Sequence, residues 1–224
     1  ATILAAIVCL GFVFCFLIPI RTAVTPKDTQ AKKRLTVHDF IEKKALPVSV
    51  MAMLVSFAYA SIMSFISTYA SSKNLLAYAS LFFIVFAISM MSLRPFTGKI
   101  YDRKGPSYVI YPALALFSLG LVILSQIDSL IGFMFAAVLI GMGFGSVQPC
   151  LQTLAIQRAE PQRIGHATST FFTFYDLGIA LGSILLGILI TGQGYSVSYI
   201  LCAVIVLLSL VFYKFCVSTS PKIR

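Results

Sequence analysis

The sequence contains little charge and few of the side chains that usually carry polar chemistry. Of its 224 residues only 11% are charged, seven are acidic, two are histidine, and tryptophan is absent. Because soluble domains carry about a quarter of charged residues, this composition excludes an ordinary soluble protein. Neither histidine has a second histidine or a thiol at metal-ligand spacing, so we predict no metal site.

Several sequence motifs are also absent. No G-x-x-x-x-G-K-[ST] phosphate loop occurs, which argues against a nucleotide-driven pump. A Ser-His-Asp triad would have to join residues from different loops and opposite depths, so we do not expect an enzyme. The five cysteines form no C-x-x-C pair and lie in or beside apolar runs, which predicts buried free thiols. The net charge of +10 is not spread on a face interleaved with aromatics, so we predict no nucleic-acid partner.

What the sequence has in abundance is apolar side chains in long runs. Hydrophobic residues make up 59% of the chain, and the mean hydropathy is +0.96. The runs cover 1–20, 47–70, 75–93, 108–125, 130–155, 167–191 and 195–213. Each reaches the roughly 17–25 residues that a helix needs to cross about 30 Å of hydrocarbon. We therefore predict an all-α integral membrane protein with seven transmembrane helices in contact with membrane lipid.

Lysine and arginine are concentrated in alternate connections between these runs. Sixteen of the 17 lie in 21–46, in 94–104, at Arg158 and Arg163, or in the tail from Lys214. The other connections hold only Lys73. Since basic residues mark the cytoplasmic side, this bias predicts that the sixteen are cytoplasmic and that Lys73 is external.

The connection after the first run is the longest of the chain. It covers 21–46, and six runs with short turns follow it. We interpret 1–20 as the last helix of an amino-terminal bundle, 21–46 as a cytoplasmic interdomain linker, and 47–224 as a carboxy-terminal six-helix bundle with a cytoplasmic tail. An uncharged outer start without an initiator methionine further leads us to expect that the chain is part of a longer protein.

The linker itself carries a helix-start pattern. Thr36 is followed three positions later by Asp39, as in a capping box. The apolar residues that recur after it near helical spacing are Val37, Phe40, Ile41 and Leu46. This pattern favours a short amphipathic helix at the inner membrane surface, and the alternative is a mostly disordered basic tether.

The segment GKIYDRKG, residues 98–105, places several charges between two glycines. Gly98 and Gly105 permit a tight reversal, and Asp102 is able to cap the positive amino-terminal end of a neighbouring helix. The segment resembles the G-x-hydrophobic-x-D-R-x-G signature of the major facilitator superfamily. In that family the signature lies in the cytoplasmic loop between the second and third helices of each six-helix half, which is its predicted position here.

This resemblance implies a twelve-helix transporter of which the chain holds the second half, with the missing amino-terminal half as its partner. It also implies a gating loop of Gly98, Asp102, Arg103 and Gly105. In the family the aspartate joins the two halves in the outward-open state, and here that role falls on Asp102 with Arg103. The sequence departs from the family at residues 106–107, where further basic residues usually follow. The alternative is a plain cytoplasmic turn.

The segment 161–187 resembles the loop and eleventh helix of drug:proton antiporters of the same superfamily. Gly178 and Gly182 form a G-x-x-x-G patch for close helix contact. A different face carries Ser169, Thr173, Asp176, Ala180 and Ser183. Asp176 lies ten residues after His166, or about 15 Å into the membrane. We therefore predict Asp176 as a proton-coupling or substrate-facing carboxylate, the alternative being a structural carboxylate satisfied by a neighbouring helix.

Two other helices carry polar groups at a similar depth, where transporters of this architecture bind substrate. The predicted cavity-lining residues on these two helices are Ser56, Tyr59, Gln148 and Gln152, and Thr173 joins them from the segment 161–187. Pro149 removes a backbone hydrogen bond and would bend its helix beside the cavity. The alternative for Ser56, Tyr59 and Gln148 is ordinary helix packing.

These observations and resemblances together predict a function. They favour a secondary active transporter that exports small amphiphilic or cationic compounds by alternating access, driven by a proton gradient and without a cofactor. A metabolite or metallophore exporter of the same fold, or a non-transporting membrane scaffold, remains as an alternative. The expected location is a cell membrane, namely the bacterial cytoplasmic membrane.

Overall fold

The structure is a computed structural model in which residues 42–217 are described, with side chains for 42–215. The predicted first helix (1–20), the linker up to residue 41, including its predicted amphipathic helix, and the end of the tail lie outside these residues. Within the described part every regular element is helical and no strand occurs. This confirms the predicted all-α class.

Six α-helices account for most of the described chain. They are α1 Leu46–Ser72, α2 Ala79–Ser92, α3 Arg94–Lys104, α4 Ser107–Ser125, α5 Leu130–Gln157 and α6 Ile164–Phe212. Short 3-10 turns at Leu76–Tyr78 and Pro161–Arg163 precede α2 and α6, and a π-helical turn, Tyr213–Val217, follows α6. The apolar runs of the sequence therefore correspond closely to α1, α4 and α5.

Five stretches of the described chain are long and apolar enough to cross a membrane. The last of them, Pro161–Phe215, has 55 residues and is interrupted by Gly194, whose φ of 83° and ψ of 175° are not helical. At 1.5 Å per residue the arms 164–193 and 195–212 are about 45 and 27 Å long, so each is able to cross the hydrocarbon. Because 1–20 is not described, the count of seven spans stays a prediction.

The predicted loop over 94–104 is wrong, because these residues form helix α3. Pro95 stands at the second helical position, within the first turn, where its missing N–H costs little, and Arg103 and Lys104 occupy the last turn, where cations are favourable. Leu93 keeps right-handed helical angles, so α2 and α3 belong to one stretch, Leu76–Lys104, of 29 residues. The chain reverses only afterwards, at Gly105 and Pro106.

Glycines bring several helices into close contact. A Cβ on Gly143 would lie 2.5 Å from the backbone nitrogen of Phe117, and one on Gly141 would lie 2.5 Å from the carbonyl oxygen of Phe86. Close backbone approach of this kind stabilises helix pairs in lipid, where no hydrophobic force drives them together. Glycines thus set the distances from α5 to α4 and to α2.

The connections gather at two ends of the bundle, as the alternating charge pattern predicts. We call the end predicted to be external the outer end. There Lys73 Nζ lies 2.9 Å from Asp128 Oδ1. This hydrogen bond raises the pKa of Lys73. At the opposite end, here the inner end, Tyr101 donates a hydrogen bond of 2.8 Å to Gln157 Oε1. Between the ends, Cys150 and Cys202 are buried free thiols, as predicted for this part of the chain.

Candidate functional site

Helix α6 has one face that packs against a neighbouring helix and another face that carries polar side chains. Gly178 and Gly182 are buried against α1, and a Cβ on Gly182 would lie 2.7 Å from the carbonyl oxygen of Phe57. Thr173 and Asp176 are exposed on the other face. These four residues lie on the faces that the sequence predicts, but Ser183, which the sequence also places on the polar face, lies 2.9 Å from Ser64 of α1, hydroxyl oxygen to hydroxyl oxygen.

Asp176 has no partner within the described residues. None of residues 42–215 forms an ion pair or a hydrogen bond with its carboxylate, and its side chain is exposed on the bundle surface. Thr173, one turn earlier, donates a hydrogen bond of 2.9 Å to the carbonyl oxygen of Ser169. The carboxylate is thus available to a ligand, to water or to another part of the protein.

The predicted cavity residues of α1 serve packing in this bundle. Ser56 is fully buried, and its hydroxyl donates to the carbonyl oxygens of Met53, at 3.1 Å, and Tyr175, at 2.8 Å. Tyr59 is half-buried and stacks on Phe144, with ring centroids 3.8 Å apart. Tyr59 thus packs on α5 one turn before Gln148, and the position of Ser56 favours the packing alternative.

A cavity of about 400 Å³ lies between α3 and α5. Its lining residues are Arg94, Thr97, Gly98, Tyr101, Asp102, Gln148, Pro149, Cys150, Gln152 and Thr153. The structure thus brings Gln148 and Gln152 together with two members of the predicted gating loop, Gly98 and Asp102. Asp176 and Thr173 do not line this cavity. The predicted site residues therefore divide between two places, the open face of α6 and the cavity.

Arg94 is a cavity residue that the sequence alone does not single out. The sequence predicts Arg94 in a cytoplasmic loop, whereas it begins helix α3 and lines the cavity beside Gln148. Pro95 is the available signal, because proline favours the first turn of a helix. A charged segment that continues as a helix is able to line a cavity with a neighbouring helix.

The end of α3 differs from the predicted turn in a second way. Gly98 is helical, and only Gly105, with a φ of 93° and a ψ of 170°, needs a backbone that other residues avoid. Asp102 is exposed, and α4 begins at Ser107, after the N-cap residue Pro106, without a side-chain cap. The expected capping by Asp102 therefore does not occur at α4. Arg103 is likewise exposed and lies outside the cavity.

Two ion pairs join the start of α1 to the start of α6 at the inner end. Arg163 Nε lies 2.6 Å from Glu42 Oε2, with the Glu42 side chain 8% exposed. The Nε–H bond of Arg163 is not directed at this oxygen, so the contact is an ion pair without a hydrogen bond. Lys44 Nζ lies 2.8 Å from Glu160 Oε1, and this contact lowers the pKa of Glu160. The residues that precede α1 are thereby fixed to the helix that carries Asp176.

Metal ligands do not cluster in the described part of the chain. No group of three or more His, Cys, Asp or Glu side chains within 42–217 is placed to hold one ion. Cys150 lines the cavity as a single thiol.

A comparison with known families decides the identity of the fold. The sequence pattern of the Major Facilitator Superfamily matches residues 1–183. The chain belongs to the Major Facilitator Superfamily. As a member of this family with several apolar spans, it is a multi-pass membrane protein.

Curated relatives in the superfamily include multidrug resistance proteins. The multidrug resistance protein MdtG of Rahnella sp. (strain Y9602) is 24% identical over 203 residues, which cover 88% of this chain and 49% of the relative. MdtG of Escherichia coli (strain K12 / DH10B) is 23% identical over 175 residues, which cover 76% of this chain and 43% of the relative. The chain spans about half the length of these relatives.

Solved structures in the superfamily share the fold. A bacterial homologue of the human drug peptide transporters matches with a TM-score of 0.68 and 18% identity, over 79% of this chain and 41% of the other. A POT family transporter in complex with 5-aminolevulinic acid matches with a TM-score of 0.64 and 17% identity, over 81% of this chain and 41% of the other. At this identity the likeness concerns the fold alone.

Proposed function

We propose that the chain is the carboxy-terminal part of a proton-coupled carrier that exports small amphiphilic or cationic compounds by alternating access. The observation that carries this proposal is Asp176, a carboxylate in the middle of a membrane-spanning arm that is exposed and has no partner among residues 42–215. Family membership supports transport, and the multidrug relatives support export of such compounds.

The depth of Asp176 gives the proposal its physical basis. It lies twelve residues, or about 18 Å, after the start of α6 at Ile164, near the middle of the arm 164–193. A charged carboxylate at the centre of a bilayer costs about 2.5–3.5 kcal/mol on insertion scales. Since neighbouring helices of this bundle do not neutralise it, the carboxylate faces an aqueous pathway or the other half of the carrier.

A carboxylate in this position is able to couple a proton to a cation. Protonation removes the charge and releases a bound cationic group, while deprotonation restores the site. Alternating access then needs an opposing bundle against which this one moves. In this scheme Asp102 and Arg103, exposed at the inner end of α3, contact that opposing bundle as the gate.

The test is proton-driven efflux by the full-length carrier reconstituted in liposomes, measured over a pH series. Asp176→Asn keeps the size of the side chain and its capacity for hydrogen bonds but removes titration, so gradient-driven efflux should be lost while folding survives. Asp128→Asn is the matched control, because Asp128 is an exposed aspartate at the outer end, 2.9 Å from Lys73.

The expected result is full efflux by the Asp128 variant and none by the Asp176 variant. An unchanged rate, pH profile and substrate range in Asp176→Asn would leave Asp176 with a structural role and would overturn the proposal. A scaffold protein would show no proton-driven efflux even with the native sequence.

A further inference from the structure

The cavity between α3 and α5 is lined by one basic residue, Arg94, whose side chain is exposed. Met90 is the middle residue of the helical stretch Leu76–Lys104, so Arg94 lies about 6 Å from the middle toward the inner end. Gln148 lies about 7 Å from the middle of Leu130–Gln157 in the same direction. Arg94 and Gln148 therefore lie at a similar level in the inner half of the bundle.

The guanidinium of Arg94 is uncompensated in the part of the chain that the structure describes. No ion pair or hydrogen bond joins its side chain to residues 42–215, although Asp102 lines the same cavity. The two are eight positions apart on α3, about 12 Å along the axis. Arg94 therefore gives the cavity a cation that no described side chain pairs with, and such a cation favours an anionic partner.

The neighbouring side chains add hydrogen-bond donors around the same space. The amide groups of Gln148 and Gln152 line the cavity and make no hydrogen bonds within the described residues. The hydroxyl of Thr153 is occupied, because it donates 2.9 Å to the carbonyl oxygen of Pro149, and that of Tyr101 donates to Gln157. The donors left free are therefore one guanidinium and two primary amides, which suit the oxygen atoms of an anion.

We propose that the cavity between α3 and α5 binds an anionic group, a carboxylate, sulfonate or phosphate, of the transported compound through Arg94, Gln148 and Gln152. A volume of about 400 Å³ lies within the range of small-molecule sites. This inference adds a binding site to the proposed function. It depends on the proposal that the protein transports small compounds, but not on the proposal that transport is coupled to protons. It predicts that compounds carrying an anionic group beside a cationic or apolar body bind better than those without one.

A pair of dyes separates the anionic group from the rest of the ligand. Rhodamine B carries a free carboxylate, and its ethyl ester has the same cationic ring system without that charge. Binding of both dyes to the purified full-length carrier is measured by fluorescence anisotropy in neutral detergent, without a proton gradient. We expect tighter binding of rhodamine B, and we expect Arg94→Gln to weaken that binding about tenfold while leaving the ester unchanged.

Lys99→Gln is the matched control, because Lys99 is an exposed cation of the same helix that does not line the cavity. It should leave both affinities unchanged. Equal wild-type affinity for the two dyes, no binding of rhodamine B, or an equal loss for both dyes in Arg94→Gln would each overturn the inference. These binding results do not depend on whether Asp176 carries the proton, so the two proposals fail separately.

A lipid phosphate is the other source of an anion at this depth. The same titration in nanodiscs of phosphatidylglycerol tests for it. Retention of the preference for rhodamine B in these nanodiscs supports a site for the transported compound. Loss of the preference in these nanodiscs, with recovery in nanodiscs of a zwitterionic lipid, would assign the site to a lipid headgroup and overturn the inference.

Discussion

Two helix pairs of this bundle use polar groups in opposite ways. In the packed pair, α1 and α6, glycines let the backbones approach, and the Ser56 hydroxyl is consumed by the carbonyl oxygen of Tyr175. In the open pair, α3 and α5, Arg94 and Gln148 border a cavity. Between α1 and α6 a polar side chain is used for packing, whereas between α3 and α5 polar side chains border open space.

The difference has a physical origin in the side chains between the helices. Lipid offers no hydrophobic drive for association, so small residues and close contact decide which helices pack. The packed pair has glycine at Gly178 and Gly182, one turn apart on α6. The open pair has Pro149 on α5 and bulky Arg94 and Tyr101 on α3. Variants of the glycine contact, of the ion pairs and of Pro149 test this difference between the two helix pairs.

The largest effect is expected from filling the contact of the packed pair. In Gly178→Ala the new Cβ would collide with Ser56 Oγ and with the carbonyl oxygen of Met53. Overpacking of this kind typically costs about 1–3 kcal/mol, and here two backbones must move apart. We expect a lower melting temperature of the purified carrier, measured in detergent by differential scanning fluorimetry.

Gly187→Ala is the matched control on the same helix. Its new Cβ would lie 3.5 Å from the ring of Phe65, an ordinary contact. This variant should melt at the native temperature or slightly above it, because alanine favours the helix. Equal melting temperatures for the two variants would mean that the glycine contact does not hold α1 to α6.

A smaller effect is expected at the ion pairs that fix the start of α1 to α6. Glu42→Gln removes the charge that faces Arg163, and it should destabilise the carrier by about 1–2 kcal/mol. This value is discounted because the Arg163 side chain is 37% exposed and solvent screens it. Thermal unfolding at pH 7 measures it.

Glu160→Gln tests the neighbouring exposed pair in the same way. Lys44 lowers the pKa of Glu160, so any stabilisation is present above the ordinary pKa of a glutamate and is lost as the pH falls through the lowered one. Since both side chains are exposed, we expect no measurable change at pH 7. A larger loss in Glu160→Gln than in Glu42→Gln would show that burial of Glu42 does not matter.

No loss of stability, but a change in transport, is expected in the open pair. Pro149→Ala restores a backbone hydrogen bond inside α5 and should raise the melting temperature. It should lower the efflux rate severalfold, because Pro149 lines the cavity and the restored hydrogen bond changes the backbone there. Pro112→Ala on α4 makes the same change at an exposed position away from the cavity. Unchanged efflux in Pro149→Ala, or an equal loss in both variants, would contradict this role of Pro149.

The sequence alone predicted those features that depend on neighbours along the chain. The run 130–155 became α5, Leu130–Gln157, and the 3.6-residue period separated Gly178 from Asp176 on α6. Both results follow because hydrocarbon thickness sets helix length and helical geometry sets the faces.

Features that depend on residues far apart in the chain were not predictable in this way. Ser56 faces Tyr175, 119 positions later, and not an open cavity. The pairing of Glu42 with Arg163 likewise needs the folded bundle. The place of Arg94 beside Gln148 is not predictable from the sequence, because a cluster of charge predicts the end of a helix, whereas the helix continues to Lys104. Local periodicity gives the face of a residue, but only tertiary packing decides what meets that face.

The two glycine corners have a consequence for how the protein enters the membrane. Gly105 and Gly194 have nearly the same backbone angles, in a region that only glycine occupies readily. Gly194 alone joins the two arms of α6, and a single residue extends at most about 3.6 Å. This length is far less than the thickness of about 30 Å of hydrocarbon that each arm has to cross. We therefore expect the two arms of α6 to enter the membrane together as a helical hairpin rather than one after the other.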